Sequence, residues 1–378
     1  MRLRLQNILL ILLTGSLLSL ASPLHASEYE NSKISLLTCT GGSELYSTFG
    51  HSALRVQDDS LSIDIVFNFG LFDFNTPNFY MKFLRGRLNY MLGIQTTSEF
   101  LWQYNYEGRG VIEQKLDLTP FQKREIMERL NFLYRPENRY YLYSFLHKNC
   151  TTELRDLLKP YISFSEGKES TTFRELINGY VVDSKWTRTG INLILGSNLD
   201  KEISIWEGMF LPDKLYEGLK PFSNERELLP RGAQSFMKKT PFILSPLFFS
   251  LIILLGLVLS RFFKAFRPLQ LLVLIISALL GLVLPLIILL TDHVELHANY
   301  NLLWCNPLYI ILLGVYPFAA KIKKAFRIMT VVMMIFSLTA VIIWLNKVQG
   351  FLPEYVFILA SQVIMLGGIR TKVYEEGN

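Results

Sequence analysis

Cysteine and histidine are scarce in this chain of 378 residues, which has three of the first and five of the second. The sequence also shows no internal repeat, no low-complexity tract and no phosphate-binding glycine loop. These absences exclude a repeat architecture and a phosphate site of the glycine-rich loop type. Charged residues make up 19% of the chain and hydrophobic residues 50%, so the apolar residues carry most of the information on its organisation.

The first apolar stretch lies at the N-terminus, in MRLRLQNILLILLTGSLLSLASPLHAS. Two arginines precede an apolar run, and small residues follow near Ala26, which is the layout of a secretory signal peptide over residues 1–26. Leu24 is an unusual residue before a cleavage point, and an uncleaved anchor is therefore the alternative. Both interpretations predict that the following residues are exported.

Five further apolar runs begin at about residue 242: PFILSPLFFSLIILLGLVLS, LQLLVLIISALLGLVLPLIILL, PLYIILLGVYPFAA, IMTVVMMIFSLTAVIIWL and YVFILASQVIMLGGI. Their lengths predict a transmembrane domain of about five helices over residues 241–370, with the third run, which contains Pro317, as the weakest. Basic residues concentrate in the loops 261–266 and 321–327 and at the C-terminal end. Placing these in the cytoplasm predicts a multi-pass protein of the cytoplasmic membrane, with residues 27–240 as an exported domain. The net charge of +6 is then mostly a topology signal, and no nucleic-acid partner is expected.

The strand and helix patterns of the exported part predict an α+β fold. Strands are expected at 33–39, 51–56, 61–70, 111–118 and 139–146. The strand over 61–70 alternates so that Asp64 and Asn68 share one face. Thr119 and Pro120 predict the start of an amphipathic helix that ends at Pro136. A second helix is expected to begin at or next to Cys150, directly after the last strand.

Cys150 is the first candidate for a reactive group. The free N–H groups and the dipole of a helix N-terminus lower a thiol pKa and supply donors to an oxyanion. His51, at the start of a strand, is preferred over the sequence-adjacent His147 as the general base, and Asp64 or Asn68 is expected to orient it.

Several other interpretations remain open at this point. Cys39 is expected in the same oxidising compartment as Cys150, and a Cys39–Cys150 disulfide is the alternative to a reactive thiol. His293 and His297 have a spacing that a helix would turn into a metal-ligand pair, but a third ligand is lacking and no metal is expected. The segment FYMKFLRGRLNYML (79–92) has the composition of an anionic-lipid-facing surface segment or of an ordinary amphipathic helix packed on the core.

A histidine on one strand, a polar residue on the next and Asn-Cys opening a helix resemble the permuted NlpC/papain-like thiol fold of lecithin:retinol acyltransferase and its relatives. The spacing of 13 residues between His51 and Asp64 is similar to that in these enzymes and favours Asp64 over Asn68. The closer resemblance is to the bacterial family of the Lnb N-terminal periplasmic domain. It rests on FGHSALRV (49–56), DIVFNFGLFDFNTPNFYMKFLRGRLNYML (64–92), YSFLHKNCTTELRDLL (143–158), GINLILGSNLDK (190–201), MFLPDKL (209–215) and HANYNLLWCNPL (297–308).

This resemblance implies a lipoprotein N-acyltransferase of the bacterial inner (cytoplasmic) membrane, with residues 27–240 as its periplasmic domain and without a cofactor. A phospholipid would donate an acyl chain to Cys150 as a thioester, and the amine of a diacylated lipoprotein would accept it. Within the shared motifs, Tyr143, Asn149, His297 and Asn301 are expected to bind substrate, and the loop around 297 to help shape the acceptor pocket. An NlpC-like cell-wall amidase or peptidase, and a non-enzymatic membrane-anchored envelope protein, are the alternatives.

Overall fold

The computed structural model describes residues 29–231 and 239–375. The predicted signal peptide, residues 1–26, lies outside these ranges, and the predicted domain boundaries stay predictions. The described residues form a mixed α+β region followed by a helical region with four to five candidate membrane-spanning helices. The predicted fold class is thereby confirmed at this level.

An antiparallel sheet forms the centre of the N-terminal region. The strands of this region are β1 Lys33–Cys39, β2 His51–Asp58, β3 Ile63–Leu71, β4 Asn89–Thr96, β5 Val111–Leu116, β6 Tyr140–Leu142, β7 Lys168–Thr172, β8 Glu202–Ser204 and β9 Ser223–Leu229. Among the described residues, seven of them form the sheet, in the order β6-β4-β3-β2-β1-β5-β9. The other two strands, β7 and β8, form a separate ribbon.

Helices cover both faces of this sheet. They are α1 Phe79–Leu84, α2 Thr97–Tyr106, α3 Pro120–Tyr134, α4 Cys150–Leu158, α5 Phe173–Tyr180, α6 Lys185–Ile194, α7 Ile205–Gly208 and α8 Pro212–Leu219. Alternate residues of β2 and β3 enter two separate cores, as a strand requires. Leu54 and Phe67 pack with α3, α4 and α8, whereas Ala53 and Val66 pack with Phe100 and Tyr104 of α2.

Most of the predicted elements are found where the sequence placed them. The Thr119 side chain caps α3 and accepts a hydrogen bond from Gln122 N, in a capping box as its sequence indicates. The strand predicted over 139–146 is wrong in its second half, since it ends at Leu142. Ser144 and Lys148 instead exchange two backbone hydrogen bonds, which fold the chain into a tight turn directly before Cys150.

Apolar helices form the C-terminal region: α9 Pro246–Leu259, α10 Pro268–Leu290, α11 Leu308–Val315, α12 Lys323–Leu345 and α13 Pro353–Glu375. Four segments of the described chain are long and apolar enough to cross a membrane, and α9, with 14 residues, is shorter. The third span is irregular, as its sequence predicts, because α11 has eight residues and gives way to a 3-10 segment that contains Pro317. Helix α13 packs against α9, α10 and α12.

The segment between α10 and α11 joins the two regions. Asn299 Nδ2 donates hydrogen bonds to the carbonyls of Leu193 and Ile194 at the end of α6. Gly196 N donates to Glu295 O, and a Cβ at Gly196 would lie 1.7 Å from the His297 carbonyl oxygen. Only glycine allows this approach of the two backbones. This end of the helical region is therefore docked onto the N-terminal region through contacts to its main chain.

Candidate active site

Cys150 is the first residue of α4. The side chain of Asn149 caps this helix, and its Oδ1 accepts hydrogen bonds from the N–H groups of Thr151 and Thr152 at 2.8 and 2.9 Å. The N–H of Cys150 has no hydrogen-bond partner among the described residues. Of the amides in this first turn, that of Cys150 thus remains available to a negatively charged ligand atom.

The imidazole of His51 is held by Asn68. The distance from His51 Nε2 to Asn68 Oδ1 is 2.6 Å. An amide oxygen only accepts hydrogen bonds, so Nε2 carries the proton and Nδ1 is the nitrogen that is free to act as a base. Cysteine, histidine and asparagine in these roles form the set used by papain-like thiol proteases.

Asp64, the other residue considered for orienting His51, does not contact it. Asp64 precedes Asn68 by four positions on the same face of β3, which is a distance of about 13 Å along a strand. The Asp64 carboxylate instead accepts hydrogen bonds from Nε and Nη2 of Arg55, both at 2.8 Å, and from the hydroxyl of Thr97. The Arg55 hydrogen bond in turn holds the pKa of Asp64 below its usual value. The preference for Asp64, which came from the spacing of the acyltransferase resemblance, is wrong for the contact with His51.

The environment of Cys150 favours the thiolate. Burial of the sulfur raises its pKa, but the charge and hydrogen bond of His51 and the N–H of Ser52 outweigh this effect and lower the pKa from 9.0 to about 7. For His51, burial lowers the pKa, but the adjacent Cys150 and the bond to Asn68 raise it above 6.5. The two groups therefore stabilise each other's charged forms near neutral pH.

We expect the rate of Cys150 alkylation by iodoacetamide to rise with pH through a midpoint near 7, because the thiolate is the reacting form. An unperturbed thiol would give a midpoint near 9. His51→Gln removes the stabilising charge and keeps the burial, so its midpoint should move upward. Cys39 does not interfere, since burial raises its pKa to about 12. Equal midpoints in the two proteins would contradict the assigned pairing.

The thiol and the imidazole open into one apolar cavity of about 440 Å³. Aromatic and aliphatic side chains form most of its wall, including Tyr90 and Tyr143, whose rings stack with centroids 4.4 Å apart. His293, in the segment after α10, forms part of the rim. The other lining residues are Leu45, Tyr46, Phe49, Gly50, Gly70, Phe72, Phe83, Gly86, Leu88, Phe145, Asn149, Thr151, Phe210, Leu211 and Pro212.

The structure brings together some of the predicted binding residues but not all of them. Tyr143 and Asn149 line the cavity with Cys150. Asn301 is fully buried, donates to the carbonyls of Asn192 and Leu193, and accepts from Trp304 Nε1, so it serves the docking of the two regions. His297 is exposed and does not line the cavity. His297 and Asn301 thus lie outside the cavity that contains Cys150, where the residue before the 3-10 turn Val294–Leu296, His293, lines the wall instead. Their predicted contact with substrate stays a prediction.

Two residues near the cavity were not predicted as part of the site. The ring of His293 packs against Gly86, and its Nε2 lies 3.1 Å from the Phe83 carbonyl oxygen. The hydroxyl of Tyr141 is buried, and the backbone N–H of Gly70 interacts with its oxygen. It lies beside Gly70, the glycine on which the Cβ of Cys150 packs. The alternation of the strand around Tyr143 was the signal for Tyr141, since the two lie two residues apart.

The three cysteines of the chain are free thiols in this structure, and the Cys39–Cys150 disulfide considered above is not formed. Cys39 is fully buried in the core between the sheet and α2. Within residues 29–231 and 239–375, no group of three or more His, Cys, Asp or Glu side chains is placed to hold a metal ion.

Two family models match the chain, and together they account for most of it. The model described as the Lnb N-terminal periplasmic domain matches residues 22–179. The model described as the Lnb transmembrane domain matches residues 232–375. No curated protein and no solved structure matches the chain. The order of a periplasmic domain and a membrane domain agrees with the fold described above, and the chain belongs to the Lnb family of membrane proteins.

Proposed function

We propose that this protein moves an acyl chain from a phospholipid to the N-terminal amine of a diacylated lipoprotein, through a thioester on Cys150. The observation that carries this proposal is the position of the Cys150–His51–Asn68 group at an apolar cavity next to the membrane helices. An ester of a fatty acid matches such a wall, whereas a polar cell-wall peptide would leave its amide groups without partners there.

In the first step, the Cys150 thiolate attacks the carbonyl carbon of the phospholipid ester. The carbonyl oxygen becomes an oxyanion near the N–H of Cys150, and its collapse breaks the carbon–oxygen bond of the ester. Nδ1 of protonated His51 gives its proton to the departing lysophospholipid oxygen. The acyl chain remains on the sulfur as a thioester, and His51 is left neutral.

In the second step, the neutral amine of the lipoprotein attacks the thioester carbonyl. His51 takes a proton from the attacking nitrogen, the carbon–sulfur bond breaks, and the Cys150 thiolate is restored beside a protonated imidazole. The amide product leaves. Water that reached the thioester would hydrolyse it. The apolar wall around Tyr90, Tyr143 and Phe145 opposes the entry of water.

Tyr141→Phe tests whether the buried hydroxyl assists this chemistry. Its position beside Gly70 and Cys150 is suited to a second donor to the oxyanion, so the substitution should lower kcat about 10²-fold and leave KM unchanged. A hydroxyl with only a structural role would leave kcat within a few-fold of wild type. Tyr140→Phe, on the opposite side of the same strand and 54% exposed, is the matched control.

The function is tested by mass spectrometry of lipoprotein N-termini from cells with and without the protein, together with intact-mass analysis of the purified protein mixed with phospholipid. We expect N-acylated lipoproteins only where the protein is present, and an acyl adduct on Cys150 when no acceptor is supplied. Cleaved cell-wall peptides without any acyl adduct would indicate the amidase alternative. Unchanged N-termini and the absence of both products would indicate a non-enzymatic role.

A further inference from the structure

Helix α1 lies at the mouth of the cavity and is exposed in an unusual way. Among its six residues, none is fully buried, although five are aromatic or aliphatic. Tyr80, Met81, Phe83 and Leu84 are 75%, 50%, 46% and 55% exposed, and they share one side of the helix. A contiguous apolar face of this kind on a folded domain indicates a contact with a partner or a membrane.

The contacts at the end of α1 tie it to the end of a candidate membrane span. Asp292, two residues beyond α10, donates its N–H to the carbonyl of Arg85 at 3.0 Å. Its carboxylate pairs with Arg87 at 2.6 Å. Helix α10 is one of the candidate spans, and its Leu290 end faces the periplasmic domain. The helix is therefore tied to the point where a membrane span emerges on the periplasmic side.

The same face continues into the active-site cavity. Phe83 is half exposed and also lines the cavity, as do Leu45 and Tyr46, which are 54% and 73% exposed. An apolar path thus leads from the surface of the domain towards Cys150. Lys82 and Arg85 lie on α1 and directly after it, where cations attract the anionic headgroups of a bilayer.

We propose that the exposed face of α1 inserts into the periplasmic leaflet of the membrane and forms the entrance by which a phospholipid acyl chain reaches Cys150. Insertion removes the four side chains from water, which favours the docked position. The segment 79–92 then divides into two parts with different roles, since residues after Arg87 enter the sheet as β4. Insertion of α1 stands on its own contacts, whereas the passage of an acyl chain rests on the proposed function.

Photo-crosslinking of the full chain in vesicles of phosphatidylethanolamine and phosphatidylglycerol tests the insertion. The probe p-benzoylphenylalanine takes the place of Tyr80 or Met81 in a Cys150→Ala background, so that the result does not depend on turnover. Lipid adducts should form at both positions and stay at background level at Phe121. This aromatic residue is 57% exposed and is the second residue of α3. The helix follows the end of β5 that is remote from His51. Adducts no more frequent than at Phe121, or adducts to protein only, would overturn the insertion.

A second experiment tests the passage of the acyl chain. The triple variant Tyr80→Ser, Met81→Ser, Leu84→Ser removes three exposed side chains that do not line the cavity. Its rate of acyl-thioester formation from phospholipid vesicles should fall at least about tenfold. Its rate of Cys150 alkylation should match that of wild type, which shows that the site remains folded. An unchanged acylation rate would overturn the entrance. Lipid adducts at Tyr80 in a protein whose wild type forms no thioester would leave the insertion standing and reject the proposed function.

Discussion

Cys150→Ala is expected to abolish N-acylation, with a loss of at least about 10³-fold, because it removes the atom that we propose carries the acyl chain. His51→Ala should lower the rate by about 10²- to 10⁴-fold, the range of a positioned general base. Both variants should fold normally, since Cys150 and His51 are only partly buried at the surface of one cavity. Mass spectrometry of a lipoprotein acceptor after incubation with purified protein and phospholipid measures the loss.

Cys305→Ala is the matched control for this substitution. Cys305 is a free cysteine that is fully buried beneath the sheet region, in the core that includes Trp304 and Tyr355. Its replacement by alanine should leave N-acylation close to the wild-type rate. Full activity of Cys150→Ala would reject the covalent mechanism, and an equal loss in Cys305→Ala would show that thiol removal acts through stability rather than chemistry.

Asn68→Ala is expected to lower N-acylation about 10²-fold, because it removes the acceptor that fixes the tautomer and orientation of His51. Asn68→Asp retains an oxygen that accepts from Nε2 and should restore part of the rate. The pH profile separates this role from a structural one. Loss of the Asn68 hydrogen bond lowers the pKa of His51. Because His51 must be neutral to accept the proton of the attacking amine, the acidic limb of the pH profile for aminolysis of the preformed thioester should move to lower pH.

Asp64→Asn is the contrasting variant, because Asp64 lies on the same strand face as Asn68 but binds Arg55 and Thr97. It should cause a small loss of thermal stability and little change in the rate or its pH profile, since the Arg55–Asp64 pair is partly exposed. A loss of about 10²-fold in Asp64→Asn, with no loss in Asn68→Ala, would reverse the assignment. The two variants therefore distinguish the strand partner seen in the structure from the one that the spacing favoured.

Local signals were sufficient for much of this protein. The alternation of 61–70 correctly grouped Asp64 and Asn68 on one face, since a strand repeats every two residues whatever surrounds it. Thr119 and Pro120 predicted a helix start correctly because a cap depends on neighbours three residues away. The strand before Cys150 was predicted too long, because the Ser144–Lys148 turn depends on how the chain must enter α4.

The sequence by itself determined the order of a sheet region and a helical region, the membrane topology signal and the cysteine at a helix start. These follow from periodicity, hydropathy and charge, which act over a few residues. Only the tertiary structure decided that His51 binds Asn68 rather than Asp64, that His293 reaches the cavity while His297 does not, and that α1 is docked beside the periplasmic end of α10. Each of these depends on distances between segments far apart in the chain, and side-chain reach in three dimensions, not spacing in sequence, sets such contacts.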